Sequence, residues 1–164
     1  MKTLPKVLES QTKIRFQDCD PFNHLNNAAY INYLINARED QLIKHYDLDI
    51  YHMGKTLGRS WVVGSNQIAY LRPALLMETV TIDSQLIAYG NSNLKVEIRM
   101  WNADKTELKA VMWSTFVHFN LVKLKSEVHS EDLMQLFKNA LNTVTQDTFE
   151  SRIQHLKSPK EVMA

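Results

Sequence analysis

Between Asp18 and Asn27 the chain brings together two carboxylates, a thiol, an imidazole and two amides, in the order Asp18-Cys19-Asp20-Pro21-Phe22-Asn23-His24-Leu25-Asn26-Asn27. An aspartate can attack an electrophilic carbon or draw a proton from water. It can equally accept backbone N–H groups and only hold a turn. Asp20 is open to both readings, whereas Asp18 reads better as the acceptor that fixes the loop. Cys19 is the obvious nucleophile by element, but the carboxylates on either side oppose its thiolate. His24 is either a general acid or a pin between the loop and a backbone carbonyl. Asn26 and Asn27 read as caps for a following helix, and the Asn27 amide is also placed to meet a substrate.

Three more polar residues, Ser65, Asn66 and Gln67, fall in a candidate strand that would run beside the helix start. They could orient a water, or they could be sheet residues facing solvent. Asp18, Asp20 and His24 lack the spacing of the recurrent zinc sites, so no metal is expected.

These side chains need a frame to hold them. A candidate strand runs from Gln11 to Gln17, and loop chemistry follows over 18–26. A helix is predicted from about Asn27 or Ala28 to Tyr46. Its first half is apolar nearly all round, broken only by Asn32 and Asn36, which predicts a helix whose start is buried. Charges begin at Arg38, so its far end should reach solvent. Segments 59–71, 79–88, 93–101 and 109–122 then read as strands. In the third, Leu94, Val96, Ile98 and Met100 alternate with Lys95, Glu97 and Arg99. Gly90-Asn91-Ser92 and 102–105 read as turns. Met100, Trp101, Met112, Trp113 and Phe116 read as core or subunit interface.

Ser130 to Asn142 returns to helix period as a peripheral helix, with Ser130 as its cap. Phe149, Ile153 and Leu156 allow one more helix, and 158–164 reads as a frayed tail. The expected organisation is one domain over 1–142 with an extension over 143–164. A single buried helix needs its antiparallel sheet to curl around it. This is an α+β hotdog fold of about five strands.

The charges exclude one class of function. Nineteen basic and eighteen acidic residues leave a net charge of +1, which argues against a nucleic-acid binder. No stretch approaches the apolar run of about 20 residues that crosses a bilayer. The first nine residues lack the apolar run of a secretory signal. Together with a single cysteine, this gives a cytoplasmic expectation.

The run Phe16 to Asn27, followed by Ala28-Ala29-Tyr30, resembles the 4-hydroxybenzoyl-CoA thioesterase family. It looks most like the bacterial acyl-CoA thioesterase branch, which carries Asp-x-Asp-Pro and His-x-Asn-Asn. Tyr70-Leu71-Arg72-Pro73-Ala74 also resembles that family's second-strand ending. The resemblance implies hydrolysis of an acyl thioester without a cofactor. It matches Asp20 to the family's catalytic aspartate, nucleophile or general base, and sets the backbone N–H groups near Asn27 to polarise the carbonyl. Asn26, His24, Ser65 and Asn66 would line the substrate. A homodimer or homotetramer with joined sheets is also implied. The turn that offers cations to the CoA phosphates in relatives here reads Gly90-Asn91-Ser92-Asn93, so CoA and other thioester carriers both stay open. The alternatives are an acyl-thioester binder that does not hydrolyse, and a dehydratase or hydratase built on His24 or His118.

Overall fold

The computed structural model describes residues 3–158. Its elements are β1 (Leu8–Lys13), α1 (Tyr30–Tyr46), α2 (Ile50–Leu57), β2 (Arg59–Tyr70), β3 (Thr79–Tyr89), β4 (Asn93–Asn102), β5 (Leu108–Asn120), β6 (Lys125–Ser126), α3 (Glu131–Ala140) and α4 (Phe149–Lys157). The sheet is antiparallel in the order β1-β3-β4-β5-β2, with β6 added beside β5. Register shifts at Val63/Ser65, Leu86/Ala88 and Met100/Trp101 bend the strands. The sheet curls so that Ile82, Ile98, Met100 and Met112 share one fully buried core with Leu34 of α1. This is the hotdog fold.

The alternation in β4 is fulfilled, with Leu94, Val96, Ile98 and Met100 all in the helix-side core. The first strand lies upstream of its expected place. It pairs Leu8–Lys13 with β3, and Phe16–Asp18 is a turn of 3-10 helix. Ile14, fully buried, ends the strand by dropping into the core, and Phe16 is left exposed.

Three further expectations change. The approach to α1 is exposed in the single chain at Asn26, Asn27 and Ala28, whereas Tyr30 and Leu34 in its first turns are buried as expected. Arg38, two turns on from Tyr30, is buried as well, against the expectation of solvent there. α2 was not foreseen, although its signals were present: Asp49 accepts from the Tyr51 and His52 N–H groups, and Gly58 closes the helix at φ 66°. α3 is capped by Ser130 as expected, but it is not peripheral, because Phe137 and Ala140 belong to the central core.

The second face of the sheet is covered as well. Val144, Phe149, Ile153 and Leu156 pack on Ile87, Val111 and Trp113 to form a smaller apolar cluster. β3 is buried from Val80 to Ile87, although its sequence alternates like a half-exposed strand: this cluster covers Ile87, the Asn142 carbonyl meets Gln85, and Arg99 and Lys105 cover Asp83. Most of the expected frayed tail, 159–164, lies outside the described residues.

Candidate active site

The segment after β1 folds back on itself. The Asp20 N–H donates to the His24 carbonyl at 2.8 Å, and the Asn26 N–H donates to the Asp18 carbonyl at 2.9 Å. Asn23 makes the reversal in the left-handed region, φ 63°, which asparagine tolerates. Leu25 is buried and anchors the turn, its N–H bound to the Ala74 carbonyl at 2.8 Å. The loop is thus held from both sides before any chemistry is asked of it.

Asp20 is divided between two tasks. Its Oδ1 accepts from the Phe22 N–H at 2.9 Å and the His24 N–H at 3.1 Å. Among the described residues its Oδ2 takes no hydrogen bond. Asp18 is spent on structure: its Oδ2 accepts the Tyr33 hydroxyl at 2.6 Å, and Tyr33 in turn accepts the Arg15 N–H at 3.1 Å. The Cys19 thiol sits 3.4 Å from the Arg15 carbonyl. Desolvation, then Asp18 and Asp20, push its pKa above the ordinary thiol value, so a thiolate is disfavoured. The His24 ring has no hydrogen bond among the described residues, so it does not pin the loop through its imidazole.

At the helix start the donors can be counted. Asn26 Oδ1 accepts the Ala28 N–H at 3.0 Å, and the Asn26 carbonyl accepts the Ala29 N–H at 2.8 Å. That leaves the Asn27 N–H without a partner among the described residues. It also lies at the positive end of the helix dipole. Asn26 is the side-chain cap, as expected, and its capping leaves one donor open.

Asp20, His24 and Asn27 line one cleft of about 230 Å³, together with Tyr30, Tyr70 and Arg72. The last three were not assigned a role from sequence, although Tyr70 to Pro73 stood out as a run. Tyr70 donates to the Asn27 carbonyl at 2.9 Å and meets the Tyr30 ring edge-on at 5.1 Å. Tyr30 accepts the Ala74 N–H at 3.0 Å, and burial pushes its phenol above the ordinary value, which suits a fixed hydrogen-bonding group. Ser65 and Asn66 are not in this cleft. Asn66 lies about 13 Å back along β2 from Tyr70, and accepts the Ser114 hydroxyl at 2.6 Å. His118 is also elsewhere, buried and stacked on His129 at 4.9 Å. No group of three or more His, Cys, Asp or Glu among the described residues is arranged to hold a metal. No helix among them is long and apolar enough to cross a membrane.

The sequence pattern of the thioesterase-like superfamily matches residues 14–137, well over half of the chain. The chain belongs to the thioesterase-like superfamily. The matched span holds the Asp20 loop, α1 and strands β2 to β5, and leaves β1 and α4 outside it. Long-chain acyl-CoA thioesterase FadM of Escherichia coli (strain K12) is 35% identical over 79 residues, which is 48% of this chain and 58% of that relative. The chain therefore matches less than two thirds of that relative's length. Among solved structures, YbaW from Escherichia coli aligns with a TM-score of 0.69 at 26% identity, covering 82% of this chain and 99% of that one. SAV2348 from Staphylococcus aureus, solved in complex with CoA, aligns with a TM-score of 0.76 at 15% identity, covering 89% and 92%. At that identity the likeness concerns the fold alone.

Proposed function

We propose that this member of the superfamily hydrolyses acyl-CoA thioesters to a carboxylic acid and free CoA, in the manner of the bacterial acyl-CoA branch related to 4-hydroxybenzoyl-CoA thioesterase. One observation carries the reading: among the described residues, Asp20 offers an unengaged carboxylate oxygen in the same cleft as an Asn27 N–H that has no partner. The thioester carbonyl oxygen takes the Asn27 N–H, which stabilises the negative charge that develops there. Asp20 Oδ2 then acts in one of two ways. As nucleophile it forms an acyl anhydride, the C–S bond breaks, and water cleaves the anhydride. As general base it takes a proton from the water that attacks. In the base route the proton held by Asp20 passes to the leaving thiolate; in the nucleophilic route the thiolate takes its proton from solvent.

Tyr70 is a positioning residue, holding the Asn27 carbonyl and so the backbone of the residue that carries the donor. His24, Asn26 and Asn27 frame the substrate's entry. Arg72, exposed on the cleft wall, supplies a cation for the CoA end, while the turn at Gly90–Asn93 is engaged elsewhere through the His118 and His129 N–H groups. The kinship with FadM supports a fatty acyl group. β2 is a twelve-residue edge strand with Val62 and Val63 exposed, a surface that favours pairing with a second copy. The working form is a cytoplasmic homodimer or homotetramer, in which Ser65 and Asn66 reach substrate only across the seam. Residues 1–142 form the catalytic unit, and the extension from 143 clamps its outer face.

The test is thiol release from acyl-CoAs of graded chain length by wild type and Asp20→Asn. Turnover is expected in wild type and its loss in the variant. No turnover on any acyl-CoA or carrier-protein thioester would overturn the reading. Labelled oxygen from water entering Asp20 in a single turnover distinguishes the nucleophile from the base.

A further inference from the structure

A second cavity of about 60 Å³ lies between the later turns of α1, the sheet and α3, and shares no lining residue with the Asp20 cleft. Its walls are apolar, including Leu86, Leu94, Val96 and Phe116. A bound water needs about 10–15 Å³ on this measure, so the space admits a short run of methylene groups. Two charged side chains border it, Glu39 and Arg38. Glu39 is already engaged, both of its oxygens accepting the Tyr51 hydroxyl at 2.9 Å.

Arg38 is different. It is 6% exposed, and its one hydrogen bond among the described residues runs from Nη1 to the Ser84 hydroxyl at 3.0 Å. A guanidinium carries five donors, and no carboxylate pairs with this one among the described residues. Burial draws its pKa down to about 10, with only Tyr46 opposing. Beyond that one bond the polar chain runs away from Arg38: Ser84 donates to Gln41 Oε1 at 2.5 Å, and Gln41 donates to Ser10 and to the Ile82 carbonyl. A buried charge is expected to be matched, as Arg152 is matched by Glu97 in this same protein.

We infer that this cavity binds an aliphatic carboxylate, with its chain on the apolar wall and its carboxylate on Arg38. The planar guanidinium fork suits a carboxylate's two oxygens. The apolar walls exclude a strongly hydrated inorganic anion. Arg38 lies eight residues beyond Tyr30, about 12 Å along the helix. Such a carboxylate has two sources, a free fatty acid or the far end of a dicarboxylic acyl chain.

Binding is tested by calorimetry on the full chain with octanoate, octan-1-ol and octylammonium. Octanoate is expected to bind at least about tenfold more tightly than octanol, with octylammonium excluded. Arg38→Met should erase that preference while still taking octanol, and Arg38→Lys should keep part of it. Leu94→Trp, which fills the cavity and leaves Arg38 in place, should abolish octanoate binding even if Arg38→Met fails to fold. Equal affinity for acid and alcohol, a preference that survives Arg38→Met, or octanoate binding that persists in Leu94→Trp would each overturn the inference.

The source is read in a second arm, which alone rests on the hydrolytic reading. A preference for a carboxyl-ended over a methyl-ended acyl-CoA that vanishes in Arg38→Met assigns the site to the substrate's tail. Inhibition by octanoate that vanishes in the same variant assigns it to a released acid. If no thioester is hydrolysed, the proposed function fails while the calorimetric result still stands.

Discussion

Two sets of buried or half-buried carboxylates in this protein are treated in opposite ways. On the outer face of the sheet, Glu97 is fully buried and completely matched. Arg152 grips it with two bonds of 2.8 and 2.9 Å, and the Trp113 indole donates to it at 2.9 Å. Asp83, also fully buried, takes two bonds from Arg99 and an ion pair from Lys105 at 2.8 Å. In the loop before α1, Asp20 has one oxygen held by two backbone N–H groups and the other unengaged among the described residues. A carboxylate with every lone pair satisfied by fixed cations is part of the scaffold. One that is anchored by a single oxygen keeps its orientation and still has an oxygen to offer a substrate.

The contrast is broken most severely at the loop. Asp20→Asn keeps an Oδ1 acceptor for the Phe22 and His24 N–H groups but removes the basic oxygen. It is expected to lower kcat by about 10²–10⁴-fold, the range a positioned acid–base group supplies. Its urea midpoint should stay close to that of wild type, since the loop bonds survive.

On the outer face the outcome should be reversed. Arg152→Met leaves Glu97 buried without its main partner, and a loss of about 3–5 kcal/mol is expected in chemical unfolding. Thiol release measured well below the unfolding transition should be nearly unchanged. A variant that folds as well as wild type would mean that α4 does not depend on the Glu97 pair.

Tyr70→Phe sharpens the comparison, because it touches neither carboxylate. It removes one hydrogen bond to the Asn27 carbonyl, worth about 1 kcal/mol. A several-fold fall in kcat with little change in KM is expected if that bond steers the Asn27 N–H. An unchanged kcat would assign Tyr70 to packing against Tyr30 alone.

The smallest effect concerns a buried base. Trp61 donates its indole N–H to His129 Nε2 at 3.0 Å, while Nδ1 faces the Gly90 carbonyl at 3.0 Å. That pair requires a neutral ring with its proton on Nδ1. Burial is the main cause that holds the His129 pKa below its ordinary value of 6.5, with His118 adding to it. The unfolded chain therefore takes up this proton first as pH falls. The His129 contribution is whole above about pH 6.5 and is lost as pH drops through the folded value. Urea midpoints should show a steeper acid decline in wild type than in His129→Gln, and parallel declines would remove His129 from the account.

Much of this was legible in the residues. The loop at Asp20, the helix behind it and the cap at Asn26 follow from local rules, because turns, caps and helix periods are set by near neighbours in the chain. The alternation of β4 assigned its inner face for the same reason. The losses fall where a residue's surroundings come from far along the chain. β3 ends outward at Ile87 as if exposed, because the residues that cover it there, Phe149 and Ile153, stand more than sixty positions away. Ser65 and Asn66 share a strand with Tyr70, yet only its last residue reaches the helix start, because the strand is long and the cleft lies at its end.

The sequence by itself determined the hotdog architecture, which is written in periodicity, and its short run from Phe16 to Asn27 singled out Asp20 through the family resemblance that run carries. Only the tertiary structure decided which oxygen of Asp20 is unengaged and which N–H at the helix start lacks a partner. It alone shows that Arg38, placed by its charge at the solvent end of α1, is buried beside an apolar cavity. Those properties depend on which hydrogen-bond partners and apolar walls arrive from other strands, and no local spacing records that.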